Sequence, residues 1–213
     1  MITLMPAVFG HLKALARKNN AGLRYIATVC GGLPVLNLGD RGLVAGEIKE
    51  IRGVFNSTSN FILEQMSQGR SMAEALTTAQ ELGIAEADPS LVICGWDTAA
   101  KLCIIFNCLK NGSTTLADID VTGIDILSPA IVQKARSDGE VVRLVASASD
   151  DALKVAPTVL KNSDFLATVT GWEKGVQLQT DIYGTISAKL WEREPIPTAA
   201  SIIRDIVTLS AQV

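Results

Sequence analysis

Histidine is almost missing from this chain of 213 residues: His11 is the only one, and the four cysteines, Cys30, Cys94, Cys103 and Cys108, contain no Cys-x-x-Cys pair. A zinc site of the usual nitrogen and sulfur donors is therefore not expected, and the cysteines read as buried free thiols rather than a disulfide framework. No run of 18 apolar residues occurs, although hydrophobic residues make up 48% of the chain. That leaves nothing for a membrane-spanning helix and points to a large core. Blocks of basic residues are lacking too, and the net charge of -3 gives no footprint for nucleic acid or a membrane surface. At the N-terminus the basic residues follow the apolar ones, opposite to a secretory signal, so the cytoplasm is the expected compartment. No internal repeat or linker-like tract divides the chain.

The hydrophobic spacing has the mixed order of an α/β protein. Val8, Leu12, Leu15 and Ala16 after Pro6 predict an amphipathic helix, and His11 falls on its solvent edge. Leu23 to Val29 predicts a strand broken by Gly31-Gly32-Leu33-Pro34, and Ile48 to Phe55 predicts another. Ser57 to Met66 predicts a helix stopped at Gly69. Ser71 with Glu74 three residues later predicts a capping box for the next helix, which Gly83 ends. A helix through Asp97, Lys101, Leu102, Ile105 and Leu109 runs to Asn111-Gly112, and another covers Ser128 to Arg136. Strands punctuated at Asp138-Gly139, Asp150-Asp151, Gly171, Gly175 and Gly184 follow, with one helical turn at Pro157 to Leu160. Thr198 to Leu209 closes the chain as an amphipathic helix whose Ile202, Ile203 and Ile206 need a cover.

Residues 81 to 102, ELGIAEADPSLVICGWDTAAKL, concentrate the chemistry. Asp97 and Lys101 are four apart and share a helix face, and Glu86 approaches from a loop. A zwitterionic substrate needs a carboxylate for its ammonium, which Glu86 can supply. A lysine ammonium can stabilise and protonate an alkoxide formed at a carbonyl, and Asp97 can orient it or hold the substrate's polar end. The same residues also admit a plainer reading: an i,i+4 surface pair, a solvated Glu86, and Asp88-Pro89 as a turn starter. Asn56 and Thr58 serve equally as helix caps or as binding groups, and Gly31-Gly32 as a turn or as a close approach of backbone to a cofactor. Trp96, Trp172 and Trp191 read as core or interface residues.

Taken in order, Gly83, Glu86, Asp88, Pro89, Gly95, Asp97 and Lys101 resemble the Gly-x-x-Glu-x-Asp-Pro loop and Gly-x-Asp-x-x-x-Lys helix of the homoserine dehydrogenases. YIATVCGGLP (Tyr25 to Pro34), GVFNSTSNFIL (Gly53 to Leu63), TGWEKGVQLQTD (Thr170 to Asp181) and PTAASIIRD (Pro197 to Asp205) extend the resemblance over most of the chain. It implies an α/β fold in the α+β manner: a mixed, largely antiparallel sheet covered by helices on one face. It also implies NAD- or NADP-dependent interconversion of homoserine and aspartate semialdehyde, a step of amino-acid biosynthesis on the threonine and methionine pathway. By the same resemblance Lys101 and Asp97 are catalytic, and Glu86, Gly83, Thr58 and Asn56 hold substrate. Gly31, Gly32 and Pro34 approach the cofactor, no metal is held, and the chain forms a homodimer or other homo-oligomer.

The departures from that family bear on activity. No Gly-x-Gly-x-x-Gly fingerprint occurs, so residues 1 to 213 are expected to be one catalytic and dimerisation domain without a Rossmann domain. The family lysine of an Asn-Lys-Gly-Pro motif falls near Leu4. A sodium-binding glutamate corresponds to Ile26 and a substrate aspartate to Val92. Leu190-Trp191-Glu192-Arg193-Glu194 replaces a Gly-x-Gly-Ala-Gly loop, and its bulk and acidity suit a pyrophosphate poorly. The isolated chain is therefore expected to be nearly inactive, and a non-catalytic ligand-binding module or a structural oligomerisation module is the competing reading.

Overall fold

The computed structural model describes residues 5–43, 45–193 and 195–211. Eight α-helices and six strands occur among them: α1 (Met5–Lys18), α2 (Val35–Asp40), β1 (Ile48–Val54), α3 (Ser57–Ser67), α4 (Met72–Glu81), α5 (Ser90–Ile93), α6 (Trp96–Leu109), β2 (Ile119–Val121), α7 (Pro129–Ser137), β3 (Glu140–Ala148), β4 (Leu153–Lys161), β5 (Glu173–Thr180), β6 (Thr185–Trp191) and α8 (Ile196–Ser210). The sheet order is β2-β4-β3-β1-β5-β6, with β2 and β4 parallel and every other neighbour antiparallel. This is the mixed, largely antiparallel sheet that the sequence predicts.

Strand alternation gives the sheet two unlike faces. Ile51, Val142, Leu144, Ala146, Val155, Val176 and Leu178 point into one core with Ile62, Leu63 and Met66 of α3 and Leu102, Ile104 and Ile105 of α6. The opposite face is largely polar, with Arg52, Gln177 and Ser187 on it. Its small apolar patch of Val54, Val145 and Leu160 is covered by Leu166, Ala167 and Val169. Helix α6 buries Thr98, Ala99, Ala100, Leu102, Cys103, Ile104, Ile105 and Asn107, so it is apolar around most of its circumference, as a helix inside a core must be.

The caps form as their residues dictate. Ser71 and Glu74 make both halves of a capping box at α4, and Gly83 takes φ +72 just past its end. Residues 196–210 form the last helix, with Ile202, Ile203 and Ile206 exposed. His11 is exposed on α1. Leu4 and Glu194 lie outside the described residues.

Three expectations are corrected. Leu23 to Val29 is not a strand but an irregular segment with a 3-10 turn at Ile26–Thr28. None of the six strands pairs with it, and the Ile26 N–H donates to the Asp205 carboxylate at 3.0 Å. Pro157 to Leu160 is not helical; it belongs to β4 and pairs with Val141 to Leu144. Proline fits there because β2 reaches only to Val155, leaving the other side of β4 unpaired at Pro157. Gly175 is interior to β5, where a Cβ would meet Val169 Cγ2 at 2.5 Å, so its role is to let residues 165–169 approach the sheet. Trp96 and Trp191 are exposed in the single chain, which leaves the interface half of their reading.

Truncating Leu102 to Ala should cost about 2–5 kcal/mol, because its side chain is fully buried in the main core and its loss leaves a void there. Ser71→Ala should cost about 1 kcal/mol. Urea denaturation of the two variants checks the ranking, which a smaller loss for Leu102→Ala would reverse.

Candidate functional site

Helix α6 begins where Gly95, at φ +84, turns the chain inward beside Val121 and the Thr122 carbonyl. Asp97 sits in the first turn, where the helix dipole favours an anion, and Lys101 follows one turn later. Both side chains are largely enclosed, 13% and 12% exposed, and their ion pair measures 2.7 Å. Lys101 Nζ also donates to the Phe55 carbonyl at 3.1 Å, at the end of β1. Asn56, the N-cap of α3, accepts from Ser59 N with Oδ1 and donates from Nδ2 to the same Asp97 oxygen. The surface-pair reading of Asp97 and Lys101 therefore fails. Asn56 is at once a cap and a member of the polar network.

With two of the three ammonium protons committed, one N–H of Lys101 has no acceptor among the described residues. That donor is the group able to meet a substrate oxygen. Thr58 reaches elsewhere, donating to the Ile84 carbonyl at 2.8 Å and tying α3 to the loop after Gly83. The side chain of Gln80 holds the same loop through the Glu86 and Ala87 carbonyls, each at 3.3 Å. Glu86 itself is exposed and makes no hydrogen bond to the Asn56–Asp97–Lys101 network. Asp88 accepts from Ser90 N at 3.1 Å, the turn-starting role, and Val92 lies in α5.

Gly31 and Gly32 are brought against a second buried pair. Lys174 Nζ binds Glu192 at 2.7 Å and the Cys30 carbonyl at 3.3 Å, and the Glu192 side chain is only 5% exposed. Glu192 also accepts from Gly32 N at 3.1 Å and from Thr198 Oγ1. A Cβ on Gly31 would lie 2.8 Å from both Glu192 oxygens, and one on Gly32 would strike Pro197. The glycines thus accommodate the chain's own β6–α8 junction. In this arrangement a carboxylate takes the Gly32 N–H, the backbone group that a cofactor phosphate would otherwise meet at this turn. Pro34 precedes α2 without a side-chain cap.

Cys30 and Lys174 were not singled out from the sequence. Lys174 has a signal in hindsight: it shares the buried face of β5 with Val176 and Leu178, and a lysine there needs a partner. Burial pushes the Cys30 thiol up to about 11; the charges of Lys101 and Lys174 pull it down, while Asp97 and Glu192 push it up. This thiol therefore lies within the fields of both ion pairs. Burial also raises the Cys103 thiol to about 11. Among the described residues no group of three metal-ligating side chains occurs.

Burial alone would raise the Glu192 carboxyl, but Lys174, Thr198 and the Gly32 N–H together hold it below the ordinary 4.5. Its contribution to stability is complete above about pH 4.5 and is lost as pH falls through the lowered folded value. Glu192→Ala should cost about 3–5 kcal/mol at pH 7 by stranding Lys174, and the Glu192→Gln protein should lose less stability than the parent between pH 5 and 3. Urea midpoints across that range measure both. Iodoacetamide at pH 8 should leave Cys30 and Cys103 unmodified until the protein is unfolded, as peptide mass spectrometry would show.

The family model for homoserine dehydrogenase matches residues 34–207. The NAD(+)-dependent homoserine dehydrogenase of Pseudomonas canavaninivorans is 34% identical over 92% of this chain, and the homoserine dehydrogenase of Methanocaldococcus jannaschii is 35% identical over 90%. The chain spans 57% of the length of each. Among solved structures, a homoserine dehydrogenase from Thiobacillus denitrificans superposes with TM-score 0.91 at 29% identity, covering 97% of this chain and 49% of that one. A hyperthermophilic archaeal homoserine dehydrogenase in complex with NADPH gives 0.86 at 28% identity, covering 98% and 62%. With a matching model over most of its length and the same sheet and helices, this chain belongs to the homoserine dehydrogenase family.

Proposed function

We propose that these residues form the substrate-holding and dimerisation unit of a homoserine dehydrogenase, acting in NAD- or NADP-dependent interconversion of homoserine and L-aspartate 4-semialdehyde in the cytoplasm. The observation that carries the reading is the enclosed Lys101 ammonium, fixed by Asp97 and the Phe55 carbonyl with one N–H to spare. In this role Lys101 meets the substrate oxygen that is a hydroxyl in homoserine and a carbonyl in the semialdehyde. It holds the proton that oxygen gains or loses. Asp97 orients the ammonium and Asn56 fixes Asp97. Thr58 and Gly83 shape the loop that presents Glu86 to the substrate ammonium, for which Glu86 has to fold inward from its exposed position.

The nicotinamide enters this reading only as the hydride partner. The relatives include an NAD(+)-dependent enzyme and an NADPH complex, so either cofactor is compatible with the family. In this reading the Gly31-Gly32 turn, whose Gly32 N–H is taken by Glu192, gives the isolated chain no phosphate contact. Purified residues 1–213 should therefore reduce NAD or NADP with homoserine at a negligible rate, and turnover at an ordinary dehydrogenase rate would overturn that expectation. Calorimetry with homoserine tests the substrate half separately. Saturable binding is expected, weakened at least tenfold by Lys101→Ala and by Asp97→Asn, and a folded chain giving no heat would leave an oligomerisation module as the better reading.

A further inference from the structure

Away from the Asn56–Asp97–Lys101 network, a cavity of about 360 Å³ opens between α1, the irregular residues 21–26, α2 and α8. Lys13, Arg17, Arg24, Arg41 and Arg204 line it, and among the described residues its lining contains no aspartate or glutamate. Five cations gathered on one hollow are unexpected in a chain whose net charge is -3. Elsewhere Lys49, Arg52, Lys101, Lys110, Lys134, Lys154, Lys174 and Lys189 form ion pairs with carboxylates, while Arg70, Arg136 and Arg143 donate to neutral oxygens. Among the described residues none of the five cavity cations forms an ion pair. Arg204 instead donates to Ser201 Oγ at 3.2 Å, and Lys13 lies over the Phe9 ring. Asp205, next to Arg204 in sequence, is outside the lining, with one oxygen accepting from Ile26 N.

Two of these guanidinium groups carry a further sign. Among the described residues the Nε atoms of Arg24 and Arg204 are buried without a hydrogen-bond acceptor, as is the Nε of Arg143 outside the cavity. Protein closes these two atoms off from the hollow, so the accessible guanidinium N–H groups, with three more like charges around them, are what can meet an acceptor of opposite charge. Arginine forks match the oxygens of phosphates and carboxylates in pairs, and four of the five cations are arginines. The hollow is roomier than a single orthophosphate requires.

We propose that this cavity binds a small metabolite carrying two or more anionic groups, phosphate or carboxylate, at a site separate from the homoserine site. Arg24 and Arg204 grip it from the buried side, and Arg17 and Arg41 close over it from the exposed rim.

The test is calorimetry on the whole 213-residue chain at constant ionic strength, with inorganic pyrophosphate and citrate as probes. Saturable one-to-one binding of pyrophosphate is expected, with Kd raised at least tenfold by Arg24→Gln or Arg204→Gln and unchanged by Lys161→Gln, outside the cavity. Should the buried variants fail to fold by circular dichroism, Arg17→Gln/Arg41→Gln on the rim reads the same effect. Binding of pyrophosphate alone assigns phosphate chemistry, and binding of citrate alone assigns carboxylates; either supports the site. Absence of saturable binding of both at millimolar concentration, or binding indifferent to all the cavity variants, overturns it. Lys101→Ala should leave the anion titration unchanged, so a failed homoserine site and a failed anion site are told apart.

Discussion

Nearly complete enclosure of α6 is the constraint on which the site depends. A helix buried around most of its circumference has few places for an ion pair, and here the pair sits at its first two turns. Taking a carboxylate and an ammonium out of water costs several kcal/mol per ion, of order, unless the remaining donors and acceptors are met. Phe55 and Asn56 meet them except for one Lys101 N–H, and both lie at the junction where β1 leaves the central sheet for α3. The β1–α3 turn is thereby fixed against α6, and Lys101 is aimed before any ligand arrives. Such preorganisation suits a group that must answer charge developing on a substrate.

A second buried pair organises the other half of the molecule. Lys174 and Glu192 connect β5, the end of β6 and the Gly31-Gly32 turn, and Thr198 adds the first turn of α8. Ser201 donates to the Gly31 carbonyl and Asp205 accepts from Ile26 N, so α8 is hydrogen-bonded along one face to the segment before α2. Its other face, with Ile202, Ile203, Ile206 and Val207, stays exposed. Small residues at 31 and 32 follow from this arrangement, since side chains there would collide with Glu192, Thr198 and Pro197.

What was legible in the sequence is what local chemistry decides. The capping box at Ser71, the left-handed Gly83, the helix carrying Asp97 and Lys101, and the exposed isoleucines of α8 all follow from spacing within one element. The misreadings lie where a distant neighbour decides. Leu23 to Val29 has a strand's composition, but strands exist only in pairs, and Asp205 has taken the N–H of Ile26. Pro157 reads as a breaker until the end of β2 shows its side of β4 to be unpaired. The role of Asn56 was open between cap and site because its two amide ends serve both, a division no spacing reveals. Glu86 matched a motif by order, yet order does not fix where a loop side chain points.

The two pairs also differ in how far each depends on the chain's periphery. Asn56, Asp97, Lys101 and the Phe55 carbonyl come from β1, α3 and α6, the elements that make the main core with the sheet. The Lys174–Glu192 junction instead helps hold α8 to the sheet edge and to the segment before α2 through polar contacts, with little apolar burial on the outer side of α8, while Val29, Cys30 and Leu33 of that segment belong to the main core. Local opening is governed by such differences, because a segment held by few buried contacts opens at a lower free energy than the core. The Asn56–Asp97–Lys101 network can therefore stay assembled while α8 loosens. Any rearrangement that frees the Gly32 N–H from Glu192 belongs to that outer unit and need not disturb Lys101.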